Sequence, residues 1–401
     1  MEITSISAVL VEGNFDWPIV RVETDDGITG YGEVRDHGRG DIEHAETYYV
    51  DDPLDLALAL EPELVGKDPT NVAARFEEIR HFGGWGRAGG GVSGVEMALW
   101  DVYGKAVGEP VWKLLGGKYR DEVRVYCDCR AGKPVAESAT DYALDGNDYS
   151  PEGYAEHAAQ REAEGFDFLK FDLAPAALER VTGDAGVADG NVTQAGLDYL
   201  EDVTAAIRDA VASETDVGFD CAGLSRYPVV DAVRVAERLD GYDLAVLEDL
   251  VPDDDVDGWS RVTDAVATPT ITGEDLYTVD GFRPLIANEA VDAVGPDLLT
   301  AGGIRETTRT CTFANHHGMS ANLHFAGSPI GFAASVHAAA AVEDLLGLEF
   351  HAVGVPWWAD LVAESLFEGG RAPVPDAPGL GVTLDEDAVF EHAREDDWVT
   401  N

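Results

Sequence analysis

The chain has 401 residues, 45% of them apolar, enough for one large barrel with an accessory domain or for two to three smaller units. Its 77 Asp and Glu against 27 Lys and Arg give a formal charge of −50, which argues against nucleic acid and anionic membranes as partners, since both need clustered cations. No run of 18 apolar residues is present to span a bilayer, and the opening residues 1–13 have neither a basic start nor a cleavable apolar stretch, so a cytoplasmic protein is expected.

Acidic blocks such as Asp253-Asp254-Asp255 and Asp385-Glu386-Asp387 lie between ordinary apolar runs. That is the pattern of a folded chain with a salt-adapted surface, where carboxylates hold water and counterions and ionic strength screens their repulsion. Lysine is scarce, with six residues at 67, 105, 113, 118, 133 and 170. The cysteines are Cys127, Cys129, Cys221 and Cys311. A lone Cys-x-Cys is too little for structural zinc, and reduced cysteines of a cytosolic enzyme are expected.

In chain order, residues 2–12 and 18–24 alternate as strands, with the turn Asp25-Asp26-Gly27 leading into a third strand over 29–34. Residues 53–80 and 93–106 read as helices. Between them the glycine-rich stretch His81 to Val92 fits neither a P-loop nor a dinucleotide fingerprint, and a mobile loop or lid is expected. From about residue 121, strand and helix repeat. Strands are expected to end near Cys127, Asp172, Asp220, Glu248, Glu274, Asp297, His324 and Glu349, with helices over 152–165, 194–213, 228–239, 257–266, 279–289, 303–316 and 330–345. Eight such units match an α/β chain folded as a (β/α)8 barrel. The polar stretch 178–193 reads as a loop insertion. After residue 360 the periodicity fades, and a returning tail is expected. The domain reading is therefore 1–118 as an α+β capping domain, 119–360 as the barrel, and 361–401 as a segment that packs back on the cap.

Residues at the carboxyl ends of barrel strands share one mouth. The third to fifth strands end in Asp220, Glu248 and Glu274, at spacings of one barrel unit. Three carboxylates in a low-dielectric mouth repel one another, and a hard dication resolves that; oxygen-only ligands favour Mg²⁺, with Mn²⁺ possible. Asp297 and His324 end the next two strands, and a carboxylate beside an imidazole fixes its tautomer and raises its basicity. Lys170, on the second strand, has two roles open: a cation for a substrate carboxylate, or a base with a lowered pKa.

These residues resemble the enolase superfamily, in its mandelate racemase-like branch. The resemblance extends to Ser93-Gly-Val-Glu-Met-Ala-Leu-Trp-Asp101 with Gly104-Lys105, to Gly295-Pro-Asp297 with Gly302-Gly303, and to Pro378-Gly-Leu-Gly381. It implies an enolase-like modified TIM barrel with metal ligands Asp220, Glu248 and Glu274. It also implies a His324–Asp297 dyad, and Glu349 as the acid that bonds the substrate carboxylate or enolate. It implies too that cap loops near residues 14–30 and 82–92 shape specificity, and that the chain forms a homo-oligomer. One departure stands out. The branch carries Lys-x-Lys on the second strand, and here it is Lys170-Phe171-Asp172, so the second base is missing; Asp172 either acts in its place or pairs with Lys170. Nor does Cys221-Ala222-Gly223 supply a histidine after Asp220. Two-base racemisation is disfavoured. The expected reaction is dehydration of an aldonate to a 2-keto-3-deoxy acid, with His324 as the main acid–base residue. The alternatives are a racemase or epimerase using the same enolate, and a metal-binding barrel without catalysis.

Overall fold

In the computed structural model, residues 1–35, 53–83, 89–129, 147–173, 178, 185–221, 227–352 and 354–400 are described. The expected loop at 81–92 lies partly outside these residues, as do Ala222 and Gly223. Alternating sequence at the amino end folds as the antiparallel meander β1 (Ile3–Glu12), β2 (Asp16–Thr24) and β3 (Thr29–Glu33). The stretch 53–80 is not one helix. It forms α1 (Pro53–Leu58), α2 (Glu61–Leu64) and α3 (Val72–Ile79). The break after α2 lets the chain pair with the sheet: Gly66, at φ +79°, donates its N–H to Ile3 O, and Ile3 N–H donates to Lys67 O. Next, α4 (Gly90–Val107) lies flat on β3. Gly32 permits that approach, because a Cβ there would stand 1.9 Å from Gly94 O.

After the short α5 (Val111–Leu114) the barrel begins. Its staves are β4 (Glu122–Asp128), β5 (Phe168–Asp172), β8 (Asp216–Asp220), β9 (Val246–Glu248), β10 (Thr270–Thr272), β11 (Ala293–Val294), β12 (Ser320–Leu323) and β13 (Leu345–Phe350). All are parallel, and pairing of β13 with β4 closes the ring. Between β5 and β8, in the stretch expected to be a polar loop, β6 (Val187–Ala188) and β7 (Asn191–Val192) form a small hairpin. The barrel helices are α6 (Pro151–Ala163), α7 (Gln194–Ala210), α8 (Val229–Leu239), α9 (Val256–Thr263), α10 (Thr278–Ala287), α11 (Gly303–His316) and α12 (Pro329–Ala340). Among the described residues, no helix is long and apolar enough to cross a membrane. The tail adds β14 (Arg371–Pro373) against β4, then α13 (Glu386–His392), then β15 (Val399–Thr400) against β1.

Tyr126, Phe168, Val246, Ile271 and Ala293 plug the barrel interior. The two-residue repeat of a strand then sends Asp128, Lys170 and Glu248 inward one step nearer the mouth.

Two buried carboxylates lock the cap to the barrel. Glu33, ending β3, accepts from Ser328 N–H (2.8 Å), Ser328 Oγ–H (2.7 Å) and Gly331 N–H (3.0 Å) at the start of α12. Glu96, inside α4, accepts from Ile304 N–H (2.8 Å) and Arg305 N–H (3.1 Å) at the start of α11, and from Trp100 Nε1–H (2.7 Å) one turn along α4. Helix amino ends favour such anions through their free N–H groups and dipole. Gly303 makes room: it sits at φ +83°, and a Cβ there would lie 2.1 Å from Glu96 Oε2.

Burial nevertheless pushes Glu96 up to about 8, against the lowering effect of those donors. A carboxyl whose pKa rises on folding binds its proton more tightly in the folded state. Its stabilising contribution is therefore full below about pH 4.5 and fades as pH climbs toward about 8. Glu96→Gln keeps one acceptor oxygen for these donors, turns its NH2 toward the other, and cannot ionise. Between about pH 5 and about pH 8 its melting temperature is expected to move in its favour by several degrees relative to the unaltered protein, read by calorimetry at constant salt.

Candidate active site

Lys170 is the hub of the first cluster. Buried on β5, its Nζ lies 2.9 Å from Glu248 Oε2, 2.9 Å from Glu349 Oε1 and 3.5 Å from Asp220 Oδ2. Burial alone would pull an ammonium down, but Glu248 and Glu349 outweigh it, with Tyr126 and Asp220 adding to them, and hold Lys170 well above its ordinary pKa. In this arrangement it stands as a cation among carboxylates. Glu349 Oε2 accepts from Tyr126 Oη–H and from Phe325 N–H, each at 3.2 Å. Asp220 and Glu248 are register partners on β8 and β9, and Asp172 is the register partner of Asp220 on β5.

The second cluster is built on His324, just past β12. Asp297 Oδ2 lies 2.8 Å from its Nδ1, and Asp297 Oδ1 accepts Leu299 N–H at 2.7 Å. The carboxylate is thereby fixed, and it fixes the imidazole with a proton on Nδ1. Nε2 lies 2.5 Å from Glu274 Oε2 and 3.6 Å from Glu349 Oε2. Burial lowers the His324 pKa, but Glu274 and Glu349 raise it more, and the net direction is well above the ordinary value. An imidazolium between carboxylates results. For His324 to take a proton, Glu274 must leave Nε2.

Of the residues expected from sequence, Lys170, Asp220, Glu248 and Glu349 meet in the first cluster, and Glu274, Asp297 and His324 in the second. Glu349 joins the two. Asp172 ends β5 beside them. Three further residues take part. Arg35, just beyond β3 in the cap, reaches Asp297 Oδ2 with Nη1, approaches His324 Nδ1 within 3.1 Å, and stands 3.9 Å from Glu274. Tyr126 bonds Glu349. Asp249 follows Glu248 with φ +52°, an uncommon backbone conformation for aspartate, and accepts from Thr272 Oγ1–H at 2.6 Å. Its doublet with Glu248 was the only sequence signal for any of the three.

The donors suit a hard dication in chemistry, though their present positions answer to other partners. Lys170 takes Asp220 and Glu248, and His324 takes Glu274. Among the described residues no three of His, Cys, Asp and Glu are grouped as they stand to hold a metal ion. Yet the pocket holds more negative charge than these cations offset. Burial first, then Asp220, Glu248 and Glu274, push Asp249 well above its ordinary pKa. Burial, with Asp220 and Glu349 and against Lys170, carries Glu248 to about 8. A divalent cation among Asp220, Glu248 and Glu274 would relieve that repulsion.

Comparison with known families settles the lineage of this barrel. Residues 153–388 match the family described as Enolase C-terminal domain-like, and residues 8–116 match the mandelate racemase / muconate lactonizing enzyme N-terminal domain. The chain belongs to the enolase superfamily. Within its mandelate racemase/muconate lactonizing enzyme branch, similar curated proteins include a D-xylonate dehydratase of Haloferax volcanii, 36% identical across 98% of this chain and 89% of that protein. A D-gluconate dehydratase of Thermoproteus tenax is 26% identical across 94% of this chain and 70% of that protein. Among solved structures, a mandelate racemase/muconate lactonizing enzyme-like protein from Rubrobacter xylanophilus superposes with a TM-score of 0.85 at 32% identity, covering 98% of each chain. Enolase-superfamily membership accounts for the closed barrel, the cap and the placement of ionisable side chains at the carboxyl ends of the strands.

Proposed function

We propose that the chain is a Mg²⁺-dependent hydro-lyase that removes water from an aldonate of the xylonate, gluconate, galactonate or arabinonate type, giving a 2-keto-3-deoxy acid. The carrying observation is one imidazole, His324, with its tautomer fixed by Asp297, beside a carboxylate-rich pocket that also holds Lys170. The dehydratases among its relatives support the same reading.

Asp220, Glu248 and Glu274 would hold the metal, with Mn²⁺ as a substitute. When bound, the metal supplies electrostatic stabilisation to the oxygens of an enediolate. The chain's own groups do the rest. Lys170 places a fixed positive charge beside the substrate carboxylate, and Glu349 shares its hydrogen bonds. Once Glu274 has turned away and Nε2 has released its proton to solvent, His324 Nε2 takes the proton from C2. The same imidazolium then returns that proton to the C3 hydroxyl as the C3–O bond breaks and water leaves. The resulting enol tautomerises to the ketone. One acid–base group thus completes an elimination, whereas racemisation needs a second base on the opposite face.

The test is a panel of sugar acids incubated with purified protein and Mg²⁺ at high KCl, assayed for semicarbazide-reactive 2-keto acid. At least one aldonate is expected to react, and chelation is expected to abolish the reaction. Exchange of deuterium at C2 without keto acid would instead identify a racemase or epimerase. No exchange and no keto acid across the panel would leave the reading without support.

A further inference from the structure

The last strand of the cap sheet aims two charged side chains at the barrel. Along β3 and just past it the chain alternates. Val34 faces α4, where a Cβ on Gly90 or Gly94 would stand 3.1 Å or 3.0 Å from its methyl groups. Glu33 and Arg35 face the other way. Glu33 binds the start of α12, and its hydrogen bonds there set the depth at which Arg35, two residues on, enters the mouth. Arg35 is 5% exposed, and its guanidinium meets Asp297 through Nη1 and stands 3.9 Å from Glu274 through Nη2.

The contact with the dyad has a definite geometry. Arg35 Nη1 and His324 Nδ1 lie 3.1 Å apart, and both converge on Asp297 Oδ2. A guanidinium only donates, and the imidazole nitrogen that faces the carboxylate at 2.8 Å carries its proton. The two nitrogens therefore share an acceptor and do not bond each other. A carboxylate oxygen offers two lone-pair directions. With Arg35 in one of them, the other is left for His324. Asp297 Oδ1 is held by Leu299 N–H, which alone would be a hinge about which the carboxylate could turn. Arg35 is the second point that stops the rotation. A clamp that merely seated the cap could use any carboxylate of the rim; this one takes the carboxylate that orients the imidazole.

We propose that Arg35 is a positioning residue for the proton transfer: from the cap it locks Asp297, and through Asp297 the plane of the His324 ring, in the orientation that serves the substrate. The chemistry it serves is the dehydration proposed above, and the inference rests on that reading. Its effect falls on the chemical step and not on binding.

Two measurements test it. In the first, kcat and KM are compared for Arg35→Met and Arg35→Lys in the presence of Mg²⁺. Arg35→Met is expected to lower kcat about ten- to a hundredfold, the range for a group that orients another, with KM within about threefold. Arg35→Lys keeps a cation without the planar fork and is expected to recover part of that loss. In the second, NMR of the metal-free protein labelled with ¹⁵N in histidine follows the proton between His324 Nδ1 and Asp297, assigned by its absence from His324→Asn. The signal is expected to move in Arg35→Met, because Asp297 Oδ2 then serves one donor where it served two, and to move less in Arg35→Lys. Arg35→Lys carries both comparisons if Arg35→Met does not fold. An unmoved signal in the folded variants overturns the proposal, since Asp297 then orients the imidazole unaided. Unchanged kcat overturns it too, as does a loss confined to KM, which would make Arg35 a substrate-binding group. If the signal moves but the unaltered protein dehydrates no sugar acid, the lock on the dyad stands and the proposed reaction falls.

Discussion

Substituting asparagine for His324 is expected to lower kcat by about a thousandfold or more while leaving KM within a few-fold, because a positioned acid–base group contributes on the order of a hundred- to ten-thousandfold. The physical reason is that no second side chain in the two clusters is placed to carry the proton. Lys170 Nζ is engaged by Glu248 and Glu349, at 2.9 Å each. His351, outside both clusters, has Nε2 2.5 Å from Asp128 Oδ2 and Nδ1 3.2 Å from Asn14 Nδ2. The variant should also lose exchange of the C2 proton with solvent, measured by mass spectrometry in deuterium oxide. Retained exchange with lost elimination would assign proton abstraction elsewhere, with Asp172 the first residue to test. Asparagine keeps a polar group toward Asp297 Oδ2, so the fold is expected to survive.

Lys170→Met carries the largest expected effect on stability. The ammonium is buried among Glu248, Glu349 and Asp220, and its loss strands those carboxylates without their cation. Removing one partner of a buried ion pair costs about 3–5 kcal/mol. For a chain of this size that corresponds to a fall of about four to six degrees in melting temperature in the metal-free protein. Added Mg²⁺ is expected to recover part of the loss, since a dication offsets the same carboxylates. Catalysis should stay absent, because the fixed charge beside the substrate carboxylate is gone. Calorimetry with and without Mg²⁺ reads the first two effects and the keto-acid assay the third. A metal-free melting point equal to that of the parent would contradict the charge balance described for this pocket.

How much of this was legible in the sequence differs by residue. The strand-end acids were legible because a barrel repeats: a period of two within each strand and one unit between strands suffice to bring Asp220, Glu248 and Glu274 to one rim. The neighbourhood of Asp297 and His324 follows from the same strand order. What the pattern did not encode is traffic between elements far apart in the chain. Arg35 reaches the dyad from the cap, and nothing local in Glu33-Val34-Arg35 marks it. The contact of His324 with Glu274 depends on side-chain choices in a crowded pocket, where carboxylates take whichever cation stands nearest. The three short helices over 53–79 were hidden for a different reason. Their apolar spacing is helical throughout, and the break at Gly66 is dictated by hydrogen bonds to Ile3 that a local window does not contain.

The pairing of β15 with β1 has a consequence for biosynthesis. During synthesis β1 finds its outer neighbour only when residues 399–400 arrive, after every stave of the barrel has been translated. Until then one edge of the amino-terminal sheet stays open, a template for pairing with other chains. In a polypeptide with a charge of −50, mutual repulsion between nascent copies is the natural guard over that interval. Deleting the last few residues should therefore show itself first as aggregation during synthesis, before any defect in the chemistry of the mature protein.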